Sequence, residues 1–589
     1  MTAVLLAGAA ARVLRLDTFQ MHEDEAWSVF QTLGTPAQII QWTPYDWAPL
    51  YYLLLGGWRM LVGSDPIVLR FLSAALAVLT LAVIYRISLH ISGRAAGGAL
   101  AVLLYAMLGY STYQSVVLRG YSLLILLAAL TFWWMLRYFH RPTIRRGVLL
   151  GVLLAAMLYT HFSAAFAFAA FGLYTAVTMP RRLLLWAGPV ALLFMLNLPQ
   201  LPRQVRFLTT QSNFSVRPEP LPLLENVSGL FTRFVGDGWP VALLALAAAG
   251  ILAFRYRSAG RAGIALVLWF LLPVAAYATP FTRIFTDPVD GSFLLRYVWW
   301  AALPFAVWIG CKLASGPRLM QMGSAAALAG CLLIAPPADY DETSPPFMTY
   351  FPQVGAVMRA GDAILVDESV GIRHPYQWQY FTELYLPQGV EYIDTADSHR
   401  RIWYISADGW QDADTYAALT ASHVPGVFFG PWNFLIRLYE APPDPPGIRF
   451  ANGMRFHGAE IIGAPDRAVA SYHEGDAIQL RLWWSVDEPP AADYSVGVYL
   501  FGADGNMRLE NNSGPMVTDG GSETSRWQPG RYYVETRDLT LPMNIHAQQM
   551  ELRMSVYQWW DGERIAAEAL DANGLLLLTK LHLMSWWMG

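Results

Sequence analysis

The chain has 589 residues; 55% are apolar and only 14% charged, net charge is −4 and mean hydropathy is +0.33. A typical soluble protein carries about 25% charged residues, so a disordered, collagen-like or ordinary soluble globular chain is excluded. The near-neutral balance leaves no footprint for nucleic acid, and two cysteines in apolar surroundings, Cys311 and Cys331, exclude a disulfide scaffold and a Cys-based zinc site.

Charge is divided unevenly along the chain. Residues 1–338 hold 11 acids and 24 bases, whereas residues 339–589 hold 33 acids and 16 bases. The first stretch reads as a membrane domain, the second as an acidic, water-soluble part. Lysine occurs only as Lys312 and Lys580; nearly all positive charge is arginine, whose planar fork suits phosphate.

In chain order, the first apolar run, Met1 to Leu14, is short for a span and contains Arg12. It lacks the basic n-region of a secretion signal. A long first loop follows at 15–65. It opens on His22-Glu23-Asp24-Glu25, where neighbouring carboxylates resist ionising together and one becomes a usable base; the same run also fits an acidic, solvated loop end. Later in the loop, Pro49 to Val62 is too short to span and has Trp and Tyr near its edges, as an interfacial helix does. Apolar runs near 66–85, 95–112, 120–138, 147–162, 163–179, 183–201, 239–255, 262–280, 296–312 and 320–337 have the length, or nearly so, to cross about 30 Å of hydrocarbon. With the N-terminal run they predict about eleven spans.

Alternate loops carry arginines without acids: Arg86 and Arg94; Arg137, Arg141, Arg145 and Arg146; Arg181 and Arg182; Arg255, Arg257 and Arg261; then Lys312 and Arg318. The positive-inside rule makes this the cytoplasmic side and places the C-terminal part outside. All 11 acids of the membrane part then fall on the outer face, together with displaced arginines such as Arg119 and Arg296. That mixture suits an anionic, membrane-delivered ligand, although an arginine there also snorkels to lipid headgroups.

Beyond 338 the period changes. Short β-like runs (AILVD, RIWYIS, GVFFG) alternate with helical stretches, which predicts a small α/β unit and a linker over 339–444. Alternating strands between turns such as ADGN and WDGE predict a β-sandwich, jelly-roll or Ig-like, over 445–589. The many tryptophans of this part fit core filling better than sugar stacking. Walker, dinucleotide, HExxH and GxSxG motifs do not stand out.

Several segments on the outer face form one ordered pattern: Asp24-Glu25-Ala26-Trp27; Trp47-Ala48-Pro49-Leu50-Tyr51-Tyr52 with Trp58, Gly63 and Arg70; Tyr113-Gln114 with Arg119-Gly120-Tyr121; Tyr159-Thr160-His161; and Arg296-Tyr297 with Pro304. Over about residues 14–310 the chain thereby resembles the GT-C superfamily of polyprenyl-phosphate-dependent glycosyltransferases, in particular bacterial relatives of the protein O-mannosyltransferases and the aminoarabinose transferases (glycosyltransferase family 39-like). It departs from the pattern at Trp47 and Ala48, which stand where the family has His and Pro, with Asp46 expected to stand in.

The resemblance implies a GT-C-like helical membrane domain over 1–338, an extracytoplasmic tail in the cell membrane, and transfer of a sugar from a polyprenyl-phosphate donor to an extracytoplasmic protein, lipid or glycan with inversion. Asp24 would be the general base, and Glu25 would tune it or bind sugar hydroxyls. Arg119 and Arg296 would hold the donor phosphate, and His22, Asp46, Tyr52, Tyr121, His161 and Tyr297 would line the substrate site. No cofactor and no metal-ligand cluster are expected. A catalytically degenerate lipid-sugar-binding member, or a structural subunit with partner chains, is the alternative. A transporter is disfavoured because the acids cluster in loops and no internal repeat is seen.

Overall fold

The computed structural model describes residues 2–44, 47–210, 260–277, 299–334, 344–396, 399–407, 412–431, 433–462, 470–517, 521–543 and 548–584. The chain divides into two compact units: residues 1–349 with 375–384, and residues 350–374 with 385–589.

The first unit is helical. Helix α1 (Thr2–Val13) packs on α5 (Pro66–Ser92) so closely that a Cβ added at Gly8 would lie 2.5 Å from the Leu81 side chain. This contact explains how a short run tolerates Arg12. The guanidinium is fully buried and donates to Gly8 O (3.0 Å) and Ser111 Oγ (3.3 Å).

The first loop is more ordered than its sequence announced. It contains α2 (Glu23–Phe30) and α3 (Pro36–Trp42) before the expected helix α4 (Leu50–Val62). A capping box starts α3: Thr35 Oγ1 accepts from Gln38 N, and Gln38 Oε1 accepts from Thr35 N. The long helix α5 is bounded by clear signals. Asp65 caps Ile67 and Val68 N–H groups at 3.0 and 3.1 Å, Pro66 occupies the first turn, and Gly93 ends the helix with φ +66°.

Three of the described helical runs are long and apolar enough to cross a bilayer: Pro66–Ser92, Tyr121–His140 and Pro180–Arg206. Shorter helices occupy most of the other expected runs, among them α6 (Ala95–Met107), Ile144–Leu158, Ala164–Thr178, Ala302–Leu313 and Arg318–Ile334. The run expected at 95–112 is interrupted. Leu108 takes an extended conformation and a separate short helix, α7 (Gly109–Gln114), follows. At 1.5 Å per residue, α6 reaches only about 20 Å. The run at 239–255 lies outside the described residues.

In the second unit a five-stranded sheet has the order β2-β1-β3-β5-β4. Strands β1 (Ala363–Val366), β2 (Glu391–Ile393) and β3 (Arg401–Ala407) are parallel, and β4 (Val424–Phe429) and β5 (Phe434–Glu440) complete it antiparallel. Strands β6 (Ile448–Arg449), β7 (Met454–Ile462), β8 (Ala470–His473), β9 (Ala477–Val486), β10 (Ser495–Phe501), β11 (Met507–Ser513), β12 (Tyr533–Thr540), β13 (Gln548–Tyr557) and β14 (Leu576–Met584) form two further sheets, ordered β11-β10-β13-β14-β8 and β12-β9-β7-β6. One hydrophobic core unites them. It takes Leu480, Leu482, Trp484 and Val486 from β9 (Ala477–Val486), Val496, Val498 and Leu500 from β10 (Ser495–Phe501), and Met550, Leu552, Met554 and Val556 from β13 (Gln548–Tyr557). The two-residue spacing within each strand is the signature of one buried face. Trp483, Trp484 and Trp527 are fully buried, as core filling requires, whereas Trp559 and Trp560 are exposed.

Candidate active site

The HEDE run begins a helix. His22 is the N-cap of α2, its Nδ1 accepting from Asp24 N at 2.9 Å, while Glu25 Oε2 accepts from His22 N at 3.0 Å. Successive helical residues point about 100° apart, so the three carboxylates diverge. Their expected mutual repulsion is met by three separate sets of partners.

Glu25 turns inward and is buried. Its Oε1 accepts from Arg70 Nε (3.0 Å) and Leu118 N (2.9 Å), and its Oε2 from Arg70 Nη2 (2.7 Å). Arg70, also buried, spends its other N–H groups on the carbonyls of Leu16 (3.0 Å), Phe19 (2.7 Å) and Gln20 (3.0 Å). A bidentate arginine–carboxylate pair is geometrically specific. It ties the first loop, the head of α5 and the turn before Arg119 to one point.

Asp24 faces the other way. Its side chain is 38% exposed, and its Oδ2 lies 3.4 Å from Arg119 Nη2. Arg119 is almost buried. Its guanidinium lies over the Trp47 ring, 3.4 Å from the centroid, and Nη1 reaches Asp24 O at 3.4 Å. A cation over an indole face is attracted by the ring quadrupole, so Trp47 fixes the plane of the guanidinium. Trp47 in turn packs against Trp27 (4.7 Å between centroids) and stacks on Tyr52 (5.9 Å). Burial raises the Tyr52 pKa above its usual value, so the phenol stays neutral.

The other segments close around this pair. Leu50 N donates to Tyr159 O at 2.9 Å. A Cβ at Gly120 would meet Tyr51 at 3.3 Å and Thr160 at 3.4 Å, so the chain passes closely there. Tyr121 and His161 rings are 5.7 Å apart, and His161 Nδ1 is 2.8 Å from Ser163 Oγ and accepts from Ser163 N at 3.1 Å. The structure thus brings His22, Asp24, Glu25, Tyr52, Arg119, Tyr121 and His161 to neighbouring segments. Asp46, Arg296 and Tyr297 lie outside the described residues. Among the described residues no cluster of three or more His, Cys, Asp or Glu could hold a metal ion.

Two features escaped the sequence reading. Arg70 belongs to the quoted pattern but received no role, although a cation near the head of an apolar span is a functional signal in itself. The other is the helix Pro375–Tyr385. Glu23 accepts from its Tyr376 and Gln377 N–H groups at 2.8 and 3.0 Å, Gln377 Nε2 donates to Met21 O at 2.5 Å, and Tyr380 OH donates to Ser64 O. A segment more than 350 residues from Glu23 is therefore latched beside the HEDE run.

Residues 46–200 match the family described as dolichyl-phosphate-mannose-protein mannosyltransferase. The match takes in Trp47, Tyr52, Arg70, Arg119, Tyr121 and His161 and bears out the resemblance read from the sequence. No curated protein matches the chain. Similar solved structures include ArnT from Cupriavidus metallidurans bound to undecaprenyl phosphate, at 12% identity and TM-score 0.48, covering 74% of this chain and 97% of that one. The same protein in the apo state gives 13% identity and TM-score 0.44, covering 73% and 93%. Arabinosyltransferase EmbB from Mycobacterium smegmatis gives 12% identity and TM-score 0.33, covering 98% and 64%.

Proposed function

We propose that the chain is a GT-C membrane glycosyltransferase that moves a sugar from a polyprenyl-phosphate donor to an acceptor on the extracytoplasmic face, with inversion. The observation that carries this reading is the Asp24–Arg119 pair, a half-exposed carboxylate beside an almost buried arginine, within a fold whose residues 46–200 match a lipid-phosphate-dependent mannosyltransferase family.

The chemistry follows from the two groups. An acceptor hydroxyl attacks the anomeric carbon while its proton passes to the Asp24 carboxylate. The bond from that carbon to the phosphate oxygen breaks, and the electron pair leaves on the lipid phosphate. The extra negative charge develops beside Arg119, which stabilises it as an oxyanion hole does. Proton removal of this kind contributes roughly 10²–10⁴-fold. No sugar ring fits between groups 3.4 Å apart. The donor phosphate therefore replaces Asp24 as the partner of Arg119, and that exchange frees the base at the moment the donor is in place.

Glu25 acts through others on this reading. With four N–H groups on its two oxygens, from His22, Leu118 and twice from Arg70, it positions the α2 start and the Leu118–Arg119 turn. Arg296, Tyr297 and Asp46 complete the site by the family pattern. The strand-rich residues 445–589 are read as a β-sandwich on the extracytoplasmic side, with 339–444 as an α/β unit and linker.

Purified protein in detergent, given polyprenyl phosphates bearing radiolabelled sugars and a membrane extract as acceptor, should transfer label and release the lipid phosphate. Failure with every common donor, while the donors still bind, would favour a lipid-sugar-binding subunit instead.

A further inference from the structure

The second unit contains a cavity of about 1250 Å³ that the transfer chemistry does not use. Its charge runs against its surroundings. Four arginines line it, Arg359, Arg401, Arg481 and Arg531, against one glutamate, Glu440, in a stretch of chain where 33 acids outnumber 16 bases.

The floor is built around the buried Glu440. Glu440 Oε1 accepts from Arg401 at 2.5 Å and Oε2 from Arg481 at 2.9 Å, so one carboxylate serves two guanidinium groups. Arg401 also holds Asp362 at 2.7 Å. The rim differs. Arg359 and Arg531 are exposed, and among the described residues neither makes an ion pair with a carboxylate. Arg531 lies over the Tyr533 ring at 5.9 Å, which leaves its N–H edges available to a ligand. Tyr416 and Tyr532 contribute rings to the same wall, and Thr420 and Thr536 contribute hydroxyls.

We propose that this cavity binds an acidic oligosaccharide, a chain of several sugars bearing carboxylate or phosphate groups. Net positive lining calls for an anion, and guanidinium forks match carboxylate and phosphate geometry. Rings and hydroxyls match the CH faces and hydroxyls of sugars. The volume exceeds the roughly 300–1,000 Å³ of a typical small-molecule site, so the ligand is longer than a monosaccharide. The sugar class rests on reading the chain as a glycosyltransferase; the anionic character rests on the charges alone.

Calorimetric titration of the intact protein in detergent tests the site without requiring turnover. Tetragalacturonate should bind, less tightly as salt is raised, while uncharged maltotetraose should not. The double variant Arg359→Gln/Arg531→Gln, which leaves the floor around Glu440 intact, should weaken tetragalacturonate binding by about tenfold or more, each arginine giving up charge-assisted hydrogen bonds. Asp24→Asn should bind as the wild type does, so loss of transfer and loss of this site are separable. The proposal is overturned if tetragalacturonate does not bind, if the double variant binds it unchanged, if maltotetraose binds equally well, or if hexaglutamate binds as tightly, which would make the cavity a site for acidic peptide.

Discussion

Arg70 has five N–H donors, and each has an acceptor within 3.0 Å. Removing one partner from a buried pair of this kind costs about 3–5 kcal/mol, because the other charge is left uncompensated. Lysine cannot replace the fork, having three donors on a flexible stem. Arg70→Lys and Glu25→Ala should therefore both lower the melting temperature of the protein in detergent by several degrees; an unchanged melt would remove the positioning role from this pair. Trp47 acts more locally. A cation–π contact contributes about 0.5–2 kcal/mol, so Trp47→Ala should raise the donor KM several-fold, and Trp47→Phe should recover part of the loss. Equal kinetics in both variants would detach Trp47 from Arg119. The carboxylate run and Arg119 were legible in the sequence as types of residue. The resemblance set Asp24 apart as the base, but the separate partners of the three acids were not legible, because consecutive acids look alike until a helix turns them in three directions.

At the scale of elements, the apolar runs announced most helices, and Asp65-Pro66 with Gly93 marked the ends of the longest helix by ordinary capping chemistry. The short helices of the first loop were less visible. The Thr35/Gln38 box was there to be read, but α2 is only eight residues long and is capped by a histidine, outside the usual Ser, Thr, Asp and Asn. The latch of Pro375–Tyr385 onto Glu23 has no local signal at all. It joins residues more than 350 apart, and the composition of that helix fits a soluble domain. A carboxylate on the first N–H groups of a helix contributes about 0.5–2 kcal/mol. Glu23→Gln should accordingly speed amide hydrogen exchange across 375–385, with little change in strand β9. Equal exchange across 375–385 in Glu23→Gln and the wild type would show that the latch holds nothing.

At the scale of the whole molecule, the two halves answer to different physics. The first unit hides Arg12 and Arg70 in its interior, and the second stands on sheets sharing one core. The charge divide near residue 338 made this contrast visible in the sequence, whereas the transfer of 375–384 to the first unit was invisible. Solution pH separates the halves experimentally. His457 is buried, its Nδ1 2.9 Å from Asp444 O and its Nε2 2.7 Å from Ser485 Oγ, and burial lowers its pKa below the usual 6.5. A histidine held neutral in the folded state loses stability as pH falls through about 6.5, where only the unfolded chain takes up the proton. The loss levels off below the folded value, where both states are protonated. The second unit should melt earlier at pH 5.5 than at 7.5, and His457→Gln should flatten that slope. An identical slope in the variant would place the titrating group elsewhere.

On the proposed mechanism Asp24 takes the acceptor proton, and the direct measurement is single-turnover sugar transfer by Asp24→Asn beside the wild type, with donor binding followed in the same samples. Asparagine keeps the shape and loses the base. Transfer should fall by roughly 10²–10⁴-fold while polyprenyl-phosphate sugar still binds through Arg119. Transfer at the wild-type rate by Asp24→Asn would contradict the assignment of Asp24 as the base.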